Sequence, residues 1–298
     1  MTELPIESEA VTPALSLPTR PFYWTVRREL WENRSVVLAP LIVAALIFFG
    51  FLIATLAGHW QEALTLDAAK RTARLAQPYN VASGLLMGTM LFVQIFYSLD
   101  AFYSERRDRS ILFWKSLPVS DLTTVLSKAA IPFVILPLLT FVLSVLTESI
   151  MLLISSAALI VTGQNAAILW TSLPLLKMWG MLLHHLFVVH SLWYAPYFAW
   201  FLFISAIVRR APIIWAALPL VAIPIIEKMA FNTNHFAAVL AQHASGGPSG
   251  EAVFLPAGEA MMHHAGEFLT SPSFWIGLII AAALIAATVQ VRRYRGPI

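Results

Sequence analysis

Six apolar runs of 16 to 31 residues, at 35–57, 81–102, 130–160, 184–208, 211–226 and 273–291, constrain this chain more than any motif in it. Hydrocarbon offers no partner to a backbone N–H or C=O, so a run of about 20 apolar residues crosses a bilayer as a helix that satisfies its own hydrogen bonds. With 59% hydrophobic residues, the chain carries more apolar surface than a soluble domain of 298 residues can bury in one core. The expectation is an all-α polytopic membrane protein with six transmembrane helices.

Basic residues orient those spans. With the N-terminus inside, Arg20, Arg27, Arg28, Arg34, Arg106, Arg107, Arg109, Lys115, Lys128, Arg209, Arg210, Arg292, Arg293 and Arg295 fall on the inner side. Only Lys70, Arg71, Arg74, Lys177 and Lys228 fall outside, a split of 14 to 5. Short inner loops collect Lys and Arg in this way, which predicts both termini in the cytoplasm. Residues 1–20 are polar and interrupted by Pro5, Pro13 and Pro18. They lack the basic and apolar regions of a cleavable signal peptide and read as a disordered cytoplasmic tail, leaving 21–298 as the transmembrane domain. With no cysteine, disulfides and thiolate metal sites are excluded.

Ahead of the first span, 21–34 (PFYWTVRRELWENR) sets Tyr23, Val26 and Leu30 on one helical face, with Arg27, Arg28 and Arg34 elsewhere and Trp24 and Trp31 at headgroup depth. This predicts an elbow-like helix lying along the inner surface. The first outer loop, 58–80, has the pattern of a short amphipathic helix, after which Pro78 is expected to restart the chain. As one helix, 121–165 would be roughly 67 Å long against about 30 Å of hydrocarbon, so it must protrude or bend, with Pro132 and Pro137 as kink positions. The stretch 171–180 reads as an external re-entry, 208–212 as a tight inner turn with Pro212 opening a helix, and 231–272 as a long, flexible outer loop.

The inner loop 104–121 is the densest mixture of charge and aromatics in the chain. A helix over 104–116 would pair Glu105 with Arg109 four residues on, and Ile111, Leu112, Trp114 and Leu117 would supply apolar surface. Pro118 ends it, and Ser120 or Asp121 offers an N-cap for the next helix. A short helix held crosswise beneath a membrane fits a groove on another protein, whereas a plain basic loop would only fix topology.

Residues 99–121, LDAFYSERRDRSILFWKSLPVSD, resemble the loop after the second span in bacterial ABC transporter permeases of the type-2 exporter class. The stretch Ser191-Leu192-Trp193-Tyr194-Ala195-Pro196, continuing to Arg209-Arg210-Ala211-Pro212 and Trp215, is similar to that family's fourth and fifth spans, and the elbow-like 27–33 extends the likeness. The resemblance implies an integral permease subunit of the bacterial cytoplasmic membrane, paired with a second permease chain, identical or paralogous. It further implies that 104–121 is a coupling-helix loop docking on a separate cytoplasmic ATPase, present in two copies, with Arg106, Arg107, Asp108, Arg109, Phe113, Trp114 and Lys115 facing it. Arg27, Arg28 and Trp31 would belong to the elbow helix. No glycine is followed by lysine, so the chain has no phosphate loop of its own; ATP and Mg2+ are expected in the partner and no cofactor here.

Other readings remain open on sequence. A charge at mid-bilayer costs about 3 kcal/mol or more unless it meets a cavity or a partner, which makes Glu148 the candidate for a translocation path, alongside pairing with the second chain or contact with outer water. His184, His185 and His190 with Met261, Met262, His263 and His264 raise a copper-handling alternative, although the spacing selects no metal geometry. Gly247-Pro248-Ser249-Gly250 matches a serine protease pattern in letters only, because its serine lies in a polar loop. A scaffold or channel needing no ATPase is the remaining alternative. Membrane lipids are expected partners and nucleic acid is not.

Overall fold

The computed structural model describes residues 21–58, 61, 65–116, 119–244 and 270–294. The tail 1–20, Leu117, Pro118, the Gly247–Gly250 stretch, Met261 to His264 and Arg295 lie outside the described residues. All regular structure described is helical. In chain order it comprises α1 (Pro21–Glu32), α2 (Ser35–Leu56), α3 (Ala68–Asp100), the short α4 (Tyr103–Arg107) and α5 (Ile111–Ser116), and α6 (Asp121–Ala130). There follow α7 (Leu136–Val161), α8 (Ala167–Ser172), α9 (Leu175–His184), α10 (Ala195–Ile207), α11 (Pro212–Phe231), α12 (His235–Ala244) and α13 (Pro272–Tyr294). Two π-helical segments, Ile131–Ile135 and His185–Trp193, join α6 to α7 and α9 towards α10.

Six helical stretches are long and apolar enough to cross a membrane, which makes this a multi-pass helical membrane protein. The expected spans are recovered with three differences. First, Pro78 does not restart the chain: α3 runs through it, with Pro78 inside the helix. The carbonyl that Pro78 cannot engage lies on the exposed side at Arg74, while Leu75, Tyr79 and Ala82 stay packed against α7 and the α8–α9 region. Burial of that face outweighs the local penalty. Second, the fourth crossing starts at Leu175 instead of 184, because Lys177 is exposed at the rim and its stem can extend toward water. Its later part, α10, follows a break at Tyr194. Third, the helix leading out of the fifth span reaches Phe231, where Asn232 takes a left-handed φ of 53° and its N–H caps the Lys228 carbonyl.

Where kinks were expected at Pro132 and Pro137, the helix widens. Pro132 sits in the π-helical segment, and the side-chain amide of Gln94 donates to the Pro132 carbonyl at 2.7 Å. A neighbouring span thereby satisfies a backbone acceptor that the widened turn leaves available.

The core is built where α3, the π-helical segments, α10 and α13 meet. α10 and α13 pack over small residues, Ala195 and Ala199 against Ala281. Gly277 is part of this close approach, since a Cβ there would stand 3.2 Å from Pro196 Cγ. α2 and α11 are the least buried spans, at 11% and 6% of their apolar windows, and present long apolar faces outward. At one end of the bundle lie α1, α4, α5, the α10–α11 turn and the C-terminus of α13, a basic end; α8 and α12 cap the other.

Candidate functional site at the basic end

The loop between the second and third spans departs from a single helix. It folds as α4 and α5, broken at Asp108–Ser110, where Arg109 takes a left-handed φ of 58°. The expected Glu105–Arg109 pair therefore does not form. Glu105 turns into the bundle and is 5% exposed, because three cations converge there. Arg28 Nη2 approaches Glu105 Oε1 at 3.2 Å, Lys128 Nζ reaches the same oxygen at 3.2 Å, and Arg292 Nη1 donates to Oε2 at 2.9 Å.

A second buried carboxylate completes the group. Glu29, fully buried on α1, receives Lys128 Nζ at 2.9 Å, Arg28 Nη2 at 2.6 Å and the Tyr97 hydroxyl at 3.1 Å. Arg292 also donates through Nε to Asp121 Oδ1 at 3.0 Å. The ring of Phe102 lies 5.4 Å from Lys128 Nζ and 5.8 Å from Arg292 Cζ. Three cations thus meet the buried Glu29 and Glu105 and the more exposed Asp121 and Glu32 in one cluster joining α1, α4, α6 and α13. Each buried charge has an opposite charge in contact, which is the condition under which such burial is tolerated.

Helix α1 follows the expected face at Val26 and Leu30 but not at Tyr23. Thr25 and Glu29 are buried, Val26 and Leu30 pack against the core, and Tyr23 is exposed. Glu29 overrides the apolar pattern because its charge is matched inside. Arg27 stacks over Trp24 and Trp31, at 5.3 and 4.5 Å from the ring centroids. Burial raises the Glu32 carboxyl above its usual range, with Arg28 at 3.6 Å opposing that shift.

The residues singled out in the loop fall into two groups. Arg106 faces the bundle: its guanidinium donates to the carbonyls of Ser205, Ala206 and Val208, closing the C-terminus of α10. Trp114 lies under Arg28, whose Cζ is 3.9 Å from the indole centroid, and Lys115 Nζ donates to the Arg292 carbonyl at 2.9 Å. Arg107, Asp108, Arg109, Leu112 and Phe113 are exposed. The hydrogen bond from Arg107 holds the Asp108 carboxyl below the usual carboxylate range. Beyond the break, the Ser120 hydroxyl accepts from Thr123 N at 3.0 Å and caps α6, as its position suggested.

Glu148 stands apart, toward the other end. It is 1% exposed and is bound by the Ser83 hydroxyl and by Trp179 Nε1 at 2.7 Å, so its partners come from α3 and α9 of the same chain. Glu227, at a span end, caps α12 by accepting from His235 N at 2.7 Å and Phe236 N at 2.9 Å. The rings of His185 and His190 meet at 5.2 Å, but no group of three or more His, Cys, Asp or Glu residues among those described forms a metal cluster.

Lys128 and Arg292 enter a sequence reading only as orientation charges, and Glu29 is not singled out by it. One signal was available: Lys128 stands directly before the apolar run that begins at Ala129, a place where an unpaired ammonium is costly. No family model matches the chain, and neither the curated proteins nor the solved structures contain a match.

Proposed function

We propose that the chain is the permease subunit of an ATP-binding cassette exporter in the bacterial cytoplasmic membrane. It pairs with a second permease chain and is driven by a separate cytoplasmic ATPase that docks on the loop 104–121. The basic end then faces the cytoplasm, with both termini on that side, in keeping with the distribution of Lys and Arg.

The observation that supports this reading is the rigid seating of an outward-facing loop. Arg107, Asp108, Leu112 and Phe113 project from a backbone that Arg106 ties to the α10–α11 turn, Glu105 to α1, α6 and α13, and Lys115 to α13. A loop that merely connected two spans would need none of these attachments. A loop that receives mechanical work from a docked ATPase needs them all, because its displacement must move the spans together. Exposed aromatic and aliphatic groups beside charges suit such a contact. The little-buried α2 and α11 offer apolar faces to lipid and to a second chain.

The test is purification of the full chain from native membranes in mild detergent or nanodiscs, with ATP hydrolysis and subunit stoichiometry measured. The expected result is a retained ATPase in a one-to-one ratio, lost in the Arg107→Glu/Phe113→Ala variant while the chain itself stays folded. Absence of any ATPase, or its retention by the variant, overturns the proposal in favour of a scaffold or channel.

A further inference from the structure

A cavity of about 1060 Å3 lies at the basic end, between the 103–112 segment, the α10–α11 turn and the end of α13. Its charge is one-sided. Arg106, Arg107, Arg109, Arg209 and Arg292 line it, and no acidic residue does among those described. Three of these arginines are already engaged: Arg106 with carbonyls, Arg292 with Glu105 and Asp121, Arg107 with Asp108. Arg109 and Arg209 have no ion-pair partner among the described residues, and both are exposed. Arg109 is also held in its left-handed conformation at the α4–α5 break, so its backbone is committed to this place.

The walls are not uniformly polar. Phe102, Leu112 and Ile207 contribute apolar surface beside the guanidinium groups. A small inorganic anion has no use for those walls, whereas an anion that carries a hydrocarbon tail does. The cavity stands where the fourth span ends and the fifth begins, which is the depth of lipid headgroups. Basic pockets between spans on the positive side of a membrane protein are the usual receptors of acidic headgroups.

We propose that this cavity binds the headgroup of an acidic phospholipid, its phosphate between Arg109 and Arg209 and the start of its acyl chains along Leu112 and Ile207. This is independent of the exporter reading: it needs only the membrane boundary and the arginines. A bound headgroup bridges the 103–112 segment to the α10–α11 turn and adds a second tie beside Arg106, so the lipid composition of that leaflet sets how firmly the loop is held.

The test is native mass spectrometry of the delipidated full chain with phosphatidylglycerol or phosphatidylcholine of the same acyl chains, and with excess inorganic phosphate as competitor. Expected are selective retention of phosphatidylglycerol, no displacement by phosphate, and a loss of roughly 25-fold in Arg109→Gln/Arg209→Gln, about fivefold per arginine. Arg34→Gln, outside the cavity, is expected to retain the lipid, and thermal unfolding of each variant checks that it is folded. Equal retention of the two lipids by the wild type overturns the proposal without reference to any variant, and leaves the arginines to an acidic protein surface. Displacement by inorganic phosphate overturns the lipid as source, and undiminished retention in a folded double variant overturns the site.

Discussion

Replacing Lys128 by methionine removes the one cation shared by both buried carboxylates of the cluster whose remaining cations, Arg28 and Arg292, also serve Glu32 and Asp121. Its side chain is 2% exposed, and it is shared between Glu29 Oε2 at 2.9 Å and Glu105 Oε1 at 3.2 Å. The change leaves Arg28 and Arg292 to serve Glu29, Glu105, Glu32 and Asp121, so the two buried carboxylates are under-compensated. Removing one member of a buried ion pair costs about 3–5 kcal/mol. At about 2–4 °C per kcal/mol for a chain of this size class, the midpoint of thermal unfolding should fall by on the order of 10 °C. Adding Glu29→Gln removes one of the two buried carboxylates that lost Lys128, and the Lys128→Met/Glu29→Gln double variant is expected to be more stable than Lys128→Met alone. Unfolding of all four forms in the same detergent, followed by intrinsic fluorescence, measures this coupling. The reasoning fails if Lys128→Met costs under about 1 kcal/mol, or if the second substitution adds to the loss instead of offsetting it.

Arg106→Ala should free the carbonyls that end α10, lowering stability by about 1.5–3 kcal/mol and raising hydrogen exchange across 205–212; Arg106→Lys, lacking the planar fork, should recover only part of it. Glu148→Gln should be tolerated within about 1 kcal/mol, because the amide is neutral and still accepts from Trp179, whereas Trp179→Phe should cost about 1–3 kcal/mol by leaving a buried carboxylate oxygen short of a donor. On the exporter proposal, with Glu148 lining the path, Glu148→Gln is expected also to change ATP hydrolysis by the proposed complex at unchanged stability. His243 stacks on Trp193 at 4.7 Å, and burial holds its pKa below the ordinary histidine value. The neutral form is therefore the one the fold prefers, and the contribution of this contact is present above about pH 6.5 and is lost as pH falls through the lowered folded value. Hydrogen exchange of α12 should rise on acidification in the wild type and stay flat in His243→Phe.

The span count was legible because it rests on a quantity every residue contributes to, mean apolar character over a window about as long as a bilayer is thick. The details that were not legible turn on tertiary partners. Pro78 reads as a break because its own backbone disfavours a helix, and only the packed face of Leu75, Tyr79 and Ala82 shows why α3 runs through it. Glu105 and Arg109 read as a pair because they are four residues apart. That spacing decides only when nothing stronger competes, and here Arg28, Lys128 and Arg292 do, from positions 77, 23 and 187 residues away in the sequence.

The same competition explains why the loop has two sides. The bundle draws in Glu105, Arg106, Trp114 and Lys115, and once their bonds are made the geometry of a single helix can no longer be met. The chain relieves this at Arg109 with a left-handed residue, at a cost of about 1–2 kcal/mol for a side chain other than glycine. That cost is smaller than the loss of any one buried charge pair, so the break persists. Its consequence is to turn Arg107, Asp108, Leu112 and Phe113 outward together while leaving them on an anchored frame. A continuous helix over the same residues would have kept Glu105 and Arg109 on one surface and left Arg28, Lys128 and Arg292 with too few carboxylates to meet them. The burial of the cluster and the exposure of Arg107, Asp108, Leu112 and Phe113 are therefore one structural choice, and weakening either should loosen the other.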